Sequence, residues 1–256
     1  MLIEERQSRL QSLLASRGMS DLESLSAELR VSQSTVRRDL DAMESLGLVR
    51  RTHGGVIWVG DRQNSLARPY AFDQRMSVLV EAKRAIGRAA ATLVKDGQTL
   101  LIDGGTTTFH LAQELLGRSM QIVTNALPIA NVFLNDERIE LILTGGLLYP
   151  RYGVLLGPSA EQFIDTVHAQ TLFFSVAGIH RGMLYNQNLL LVQAEQRMMK
   201  QAQRRVLLAD SSKFDQQALA ELCELKAIDV LVTDSEISKE QRATVKRAGC
   251  ELLLAG

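Results

Sequence analysis

From residue 98 onward seven short runs of almost unbroken aliphatic residues recur: "QTLLID" (98–103), "MQIVTN" (120–125), "IELILT" (139–144), "TLFFSVAG" (171–178), "RVLLAD" (205–210), "DVLVTD" (229–234) and "CELLLA" (250–255). Strands this apolar lack the in–out alternation of a sheet with one wet face, so both their faces must be covered. Helical stretches intervene, for example 82–94 and 107–116, and strands that alternate with helices build a parallel or mixed α/β sheet with helices on both sides.

In such sheets ligands bind beyond the carboxyl ends of the strands, and those ends here collect glycine and polar residues. The first run closes with "DGGTTT" (103–108) and a helix begins at once. Two glycines let the backbone approach a guest, while the threonine hydroxyls and the free N–H groups of the helix start donate to an anion. Other runs end in Thr124-Asn125, in Thr144-Gly145-Gly146, in Gly178 and in "DSSKF" (210–214), where Lys213 can neutralise a charged ligand and Asp210 can bind hydroxyls. Singly, each piece reads equally well as a tight turn, a cap or a solvated lysine. Several strand ends with the same chemistry point to a phosphate site. The loop is neither GxGxxG nor GxxxxGK[ST], so NAD and nucleotide hydrolysis have no support; no cofactor is expected, and a small phosphorylated polyol fits better.

The first sixty residues follow another rule. Leu2, Leu10, Leu13 and Leu14 fall at helical spacing before Gly18, and Leu22, Leu25 and Leu29 follow an Asp21 placed to cap them. Ser32 then stands where an N-cap belongs, and Val36, Leu40 and Met43 recur at i, i+4 and i+7, with Leu46 ending the run before Gly47. The opposite, polar side of this third helix presents Gln33, Ser34, Thr35, Arg37 and Arg38 near its start. Leu48, Val49, Val56, Ile57 and Val59 are strand formers around Gly54-Gly55, which predicts a hairpin directly after the helix. The sum is a winged helix-turn-helix, with Arg50, Arg51 and His53 at the wing beside Arg37 and Arg38.

An arginine pair on a helix is usually solvated surface. Joined to a capped third helix and a basic Gly-Gly wing, it reads as a surface for double-stranded operator DNA. Arg37 or Arg38 and the wing arginines then meet phosphates, while Gln33, Ser34 and one helix arginine are the candidates for base edges. Asp39 is assigned a structural arginine partner, because a carboxylate facing phosphate is repelled. Lys+Arg and Asp+Glu balance at 29 each, so any basic surface must arise from distribution rather than net charge. Glu4, Glu5, Glu23 and Glu28 sit on the other helices, away from it. Between the two patterns "GDRQNSLARPYAFDQRM" (60–76) holds no sustained period and contains Pro69. The expected division is therefore 1–59 for the DNA-binding domain, 60–76 for a linker and 77–256 for the α/β sensor domain.

A content of 46% hydrophobic and 23% charged residues suits a globular chain with a proper core. No apolar run approaches membrane-spanning length, and "MLIEERQSRL" carries two glutamates where a secretion signal needs a basic start, so a cytoplasmic protein without membrane contact is expected. Cys223 and Cys250 sit among apolar residues and read as buried thiols of a reducing compartment. His110, His168 and His180 are scattered without metal spacing, and no metal site is expected. Trp58 is assigned to packing the wing on the first helices.

These residues together resemble the DeoR-type bacterial transcriptional regulators, in a pattern close to that of the glycerol-3-phosphate repressors. The match runs nearly end to end, through "STVRRDL", "GLVRRTHGGV", "FDQRMSVLVEAKRAIGRAAATLVKDGQTLLIDGGTTT", "IVTNALPIAN", "LTGG", "AGIHRGML" and "LLADSSKF". The resemblance implies a repressor of a sugar or polyol catabolic operon, relieved by a phosphorylated intermediate. It further implies a C-terminal sensor domain akin to ribose-5-phosphate isomerase and related sugar-phosphate enzymes. Carried over by motif, Asp103, Gly105, Thr106, Thr107, Asn125, Gly145, Gly146 and Lys213 line the effector site. Around "LLLVQAEQRMMK" (189–200) an acidic-then-lysine pattern common in the family is replaced by Gln193, Glu195 and Lys200, in a segment able to touch the sugar end. A homo-oligomer, dimer or tetramer, is expected on a repeat operator, whose half-sites lie about one DNA turn (~34 Å) apart.

Two rivals stand beside this reading. A sugar-phosphate isomerase carrying a DNA-binding module needs a carboxylate base, and Asp103, Glu195 and Asp210 are its candidates, although no spacing singles out a pair; no catalytic residue is assigned. An activator or architectural DNA-binding protein differs from a repressor only in where its site lies relative to the promoter.

Overall fold

The computed structural model describes residues 6–7, 9–10, 13–14, 19–45, 49–52, 55–58 and 71–256, with backbone alone at 19, 45, 50, 52, 57–58, 71 and 73–74. The chain divides into two compact units, Met1–Arg68 and Pro69–Gly256.

In the first unit, Leu10 and Leu14 share a core with Leu25, Leu29, Val36, Leu40, Met43, Val49 and Val56. Helix Leu22–Leu29 begins as its sequence requires: Asp21 accepts the Ser24 N–H at 2.8 Å. The next helix, Gln33–Ser45, is entered through Ser32, whose Oγ accepts from the Thr35 N–H at 3.3 Å. Three strands follow the expected wing and add to it: β1 (Met19–Ser20), β2 (Val49–Thr52) and β3 (Gly55–Trp58), in the order β1-β3-β2 and all antiparallel. The pairing of Met19 and Ser20 with β3 has no signal in a two-residue segment. It explains Gly55, whose φ is +151° and where an added Cβ would lie 2.5 Å from the Ser20 carbonyl oxygen. Gly55→Ala is therefore expected to part β1 from β3 and lower this unit's stability by ~1–3 kcal/mol, read by thermal unfolding; an unchanged midpoint would show that the strand yields at no cost.

In the second unit all seven aliphatic runs become strands of one parallel sheet. They are β4 (Thr99–Ile102), β5 (Met120–Thr124), β6 (Ile139–Leu143), then, past a hairpin of β7 (Leu147–Tyr149) and β8 (Val154–Leu156), β9 (Ala169–Phe174). A small antiparallel sheet of β10 (Gly178–His180), β11 (Met183–Asn186) and β13 (Ala220–Glu224) surrounds β12 (Ala202–Leu208) in sequence, and β14 (Val230–Asp234) and β15 (Glu251–Ala255) close the main sheet. Its order is β15-β14-β12-β9-β4-β5-β6, with every ladder parallel. The run 171–178 therefore breaks at Phe174, and its last residue, Gly178, opens the small sheet.

The chain enters at β4, builds outward through β5 and β6, and returns on the other side of β4 to β9. The order reverses between β4 and β9, and that switch point is where an open parallel sheet leaves a crevice.

The expected linker needs correction at its end. Residues 59–70 lie outside the described residues, but Ala71–Met76 is a helix of the second unit, and Phe72 on it is buried with its ring edge-on to Phe109 at 5.8 Å. Its six residues are too few to display a helical period, which is why the stretch reads as linker.

Candidate functional site

On the first unit, helix Gln33–Ser45 turns Val36, Asp39, Leu40 and Met43 inward and leaves Gln33, Ser34, Arg37 and Arg38 exposed, with Thr35 half-buried. Asp39 has the arginine partner assigned to it. Arg6 grips both its oxygens, at 2.6 and 3.0 Å, and Gln7 adds a third donor at 3.3 Å. This holds the Asp39 carboxyl below the usual carboxylate range, the Arg6 hydrogen bond being the largest cause. The helix surface is thus cleared of one negative charge.

Arg51 is exposed and is also engaged within the unit. Its guanidinium pairs with Asp41 at 2.5 Å and Glu44 at 3.6 Å and donates to the Arg37 carbonyl at 2.8 Å, so it ties the wing to the helix. Its backbone N–H also donates to Glu44, at 3.0 Å. Two acidic residues one and two turns along the helix are the signal that sequence reading passed over. The Ser34 and Thr35 hydroxyls are engaged by Ser32 Oγ at 2.8 and 2.9 Å. Arg37 and Arg38 make no ion pair among the described residues. The Arg50 and Trp58 side chains and all of His53 lie outside the described residues.

On the second unit the switch point gathers the polar groups. The Asp103 N–H donates to the Phe173 carbonyl at 3.0 Å, bringing the loops after β4 and β9 together. Gly105 sits so close to Ser175 that a Cβ would fall 2.2 Å from its Oγ, and a Cβ on Gly104 would strike Val154 at 2.3 Å. Thr108 Oγ1 donates to the carbonyls of Asp103 and Gly105, at 2.8 and 3.0 Å, fixing the loop to helix Thr106–Glu114. That helix has no side-chain cap, and its first N–H groups are open. Thr124 locks the neighbouring strand end by donating to the Ile102 carbonyl at 2.6 Å, and the Asn125 carbonyl accepts from Leu155 at 2.7 Å.

Into this frame point buried groups that lack partners. Asp103, Asn125 and Glu195 are at most 2% exposed, yet Asp103 Oδ1, both polar atoms of the Asn125 side chain and Glu195 Oε2 make no well-formed hydrogen bond. Asn125 and Glu195 lie near enough to influence the Asp103 carboxyl all the same; its pKa is pushed up to about 6, mainly by burial. Glu195 stands well above the ordinary glutamate range, through burial first and the Asp103 charge second; its other oxygen accepts from Asn186 at 2.5 Å. The Asp210 carboxyl is buried with one oxygen likewise unpartnered.

A cationic margin completes the site. Lys83 is 4% exposed; burial lowers its pKa to about 8, opposed by Asp210 and reinforced by Lys213 and Arg75. Its Nζ donates to the Arg75 carbonyl at 2.6 Å. The Arg75 guanidinium lies 4.9 Å over the Tyr152 ring, within reach of the Asp103 charge. Tyr152 in turn donates to Gln187 at 2.6 Å and stacks on Tyr149.

Of the effector residues expected, the switch point thus joins Asp103, Gly105 and Asn125, with Thr106 and Thr107 buried in the first helical turn and Lys213 near Lys83. Gly145 and Gly146 follow the edge strand β6; Gly146, at φ +110°, packs where a Cβ would meet the Leu156 carbonyl oxygen at 2.7 Å. Glu195 enters the site from helix Leu189–Gln201, while Gln193 and Lys200 on the same helix face solvent. Sequence reading missed Arg75, Lys83, Tyr152 and Ser175. Lys83 had a signal: it falls on one stripe with Ile86, Gly87 and Ala90, the buried side of helix Val80–Ala91.

Residues 6–61 match the DeoR-like helix-turn-helix domain and residues 79–235 match the DeoR C terminal sensor domain. The chain belongs to the DeoR family. Its relatives include the HTH-type transcriptional regulator GlpR of Haloferax volcanii, 33% identical over 97% of this chain and 96% of that protein. The HTH-type transcriptional repressor CsqR of Escherichia coli is 32% identical over 97% and 94% of the two chains. The L-fucose operon activator of Escherichia coli is 29% identical over 90% and 94%. Among solved structures, ribose 5-phosphate isomerase A from Methanocaldococcus jannaschii overlays 53% of this chain and 54% of its own, at 17% identity and a TM-score of 0.39, too loose a likeness to argue from. As a DeoR-family member the chain is a DNA-binding transcriptional regulator with a small-molecule sensor domain. No described helix is long and apolar enough to cross a membrane.

Proposed function

We propose that this DeoR-family regulator represses a sugar or polyol catabolic operon from the cytoplasm and loses operator affinity when a phosphorylated sugar or polyol occupies the crest of the parallel sheet. One observation carries the reading: Asp103, Asn125 and Glu195 are buried with unspent donors and acceptors beside an uncapped helix start. Folded proteins leave few such groups, and a polar guest that completes them explains the arrangement. The phosphate lies at Gly105–Thr107 with Lys213 opposite, and the hydroxyls meet Asp103 and Asn125. Gly145 and Gly146 leave the backbone after β6 bare for the guest's approach. Gln33, Ser34, Thr35, Arg37 and Arg38, with Arg50 and His53 of the wing, face a repeat operator bound by a dimer or tetramer. Repression accords with the name of CsqR, and the L-fucose operon activator supplies the contrary sign within the same family.

Fluorescence anisotropy of the full chain on its own upstream DNA tests this, with sugar and polyol phosphates, the matching unphosphorylated compounds and inorganic phosphate. Release by one phosphate ester at a coupling of ~5- to 150-fold is expected; tight, salt-sensitive binding that no ester alters would return the crest to an open question. The Asp103–Glu195 pair gives the isomerase reading its one foothold, and turnover of pentose or hexosamine phosphates by the purified chain would establish it.

A further inference from the structure

The helix Ala71–Met76 begins three residues beyond Arg68, the end of the first unit. Three contacts among the described residues fasten it to the second unit, and each leads toward the sensor site. The Phe72 ring meets Phe109, which stands in the first turn of the helix whose open N-terminus faces the crest. The Arg75 guanidinium lies over Tyr152 and in the field of Asp103. The Arg75 carbonyl takes the one hydrogen bond that the Lys83 ammonium makes among the described residues, leaving two of its three donors unspent.

Phe72 and Arg75 stand outside the second unit's apolar core, and six residues have no helical stability of their own, so tertiary contacts, these among them, decide where the helix rests. Along its flank runs an open cleft of about 710 Å³ bordered by Phe72, Met76, Phe109, Leu127 and Pro128, space into which a released helix can move.

We propose that Ala71–Met76 transmits occupancy of the sensor site to the chain leading to the DNA-binding unit, with Arg75 as its contact to the bound anion and Phe72 as its anchor. The proposal rests on the reading of the crest as an anion-binding sensor. A phosphate arriving at the helix start draws the Lys83 ammonium through its unspent donors and draws the Arg75 guanidinium, and as the ammonium moves toward the anion its bond to the Arg75 carbonyl gives way. Arg75 follows the anion while its backbone loses that tie, so the free and occupied sites favour different placements of the helix. Such a difference in interaction between two placements is what a ligand needs to shift an equilibrium.

The test uses the full-length chain and its upstream DNA, with ribose 5-phosphate, fructose 6-phosphate, fructose 1-phosphate and glycerol 3-phosphate as probes. Calorimetry reads probe binding and anisotropy reads operator affinity at saturating probe. Phe72→Ala keeps every charged group of the site, so its probe Kd should stay within about fivefold of the unaltered chain, while the probe's effect on operator affinity falls from ~5- to 150-fold to under about threefold. Arg75→Gln should weaken probe binding at least about tenfold, as loss of a charge-assisted contact does. A full operator response in Phe72→Ala, or unweakened probe binding in Arg75→Gln, overturns the proposal while the sensor reading stands. An unaltered chain that binds none of the probes overturns the sensor reading and the proposal with it.

Discussion

Arg38→Ala is expected to remove operator binding at physiological salt and to leave the unfolding midpoint where it was. Arg38 is exposed on helix Gln33–Ser45 and holds no ion pair among the described residues, so the fold does not draw on its charge. Alanine also favours the helix. A well-made arginine contact to a base is worth ~1–3 kcal/mol, and a two-fold operator loses it twice, which amounts to about thirtyfold to about twenty-thousandfold in affinity. Titrations at several salt concentrations separate its two possible duties. Loss of a phosphate contact lowers the slope of log K against log salt by about 1 per site, and loss of a base contact leaves the slope unchanged. Arg51→Ala is the useful contrast, because Arg51 is spent on Asp41, Glu44 and the Arg37 carbonyl. Affinity kept by Arg38→Ala would remove this helix face from the interface.

The parts of this protein that could be read from its residues are those where one local rule acts alone. Seven aliphatic runs could only be strands covered on both faces, and Asp21 and Ser32 could only be caps at those positions. Their order in the sheet and the reversal between β4 and β9 depend on how the crossovers fold back, which no single run encodes. The same limit explains the site. "DGGTTT" announces itself because its residues are consecutive, but Asp103 meets Glu195 across 92 positions and Arg75 stands in a stretch too short for a period to show. Lys83 was legible in principle, as a lysine on an apolar stripe. The carboxylates that pair with Arg51 escaped notice because they lie on the preceding helix, away from the wing.

Asp103→Asn is expected to act in opposite directions on stability and on sensing. Burial pushes the Asp103 pKa from 3.8 up to about 6, with Glu195 raised beside it. Between about pH 4 and pH 6 the folded chain keeps a proton that the unfolded chain has given up, so this group's contribution is fullest below the unfolded pKa and is lost as pH rises through 6. At pH 8 the folded chain therefore carries a cost of ~3 kcal/mol that an uncharged asparagine of the same shape does not. The variant's unfolding midpoint should exceed that of the unaltered chain by several degrees at pH 8, and the gain should shrink toward pH 4. A sugar hydroxyl that donates to the carboxylate loses a charge-assisted partner worth ~1.5–3 kcal/mol, so calorimetry should find the phosphate ester bound about ten- to 150-fold more weakly. A midpoint lowered equally at both pH values would mean that Asp103 serves the fold, and the sensor reading would lose its central residue. A group kept where it destabilises the unliganded protein, next to a second one of the same kind, has its explanation in what it binds.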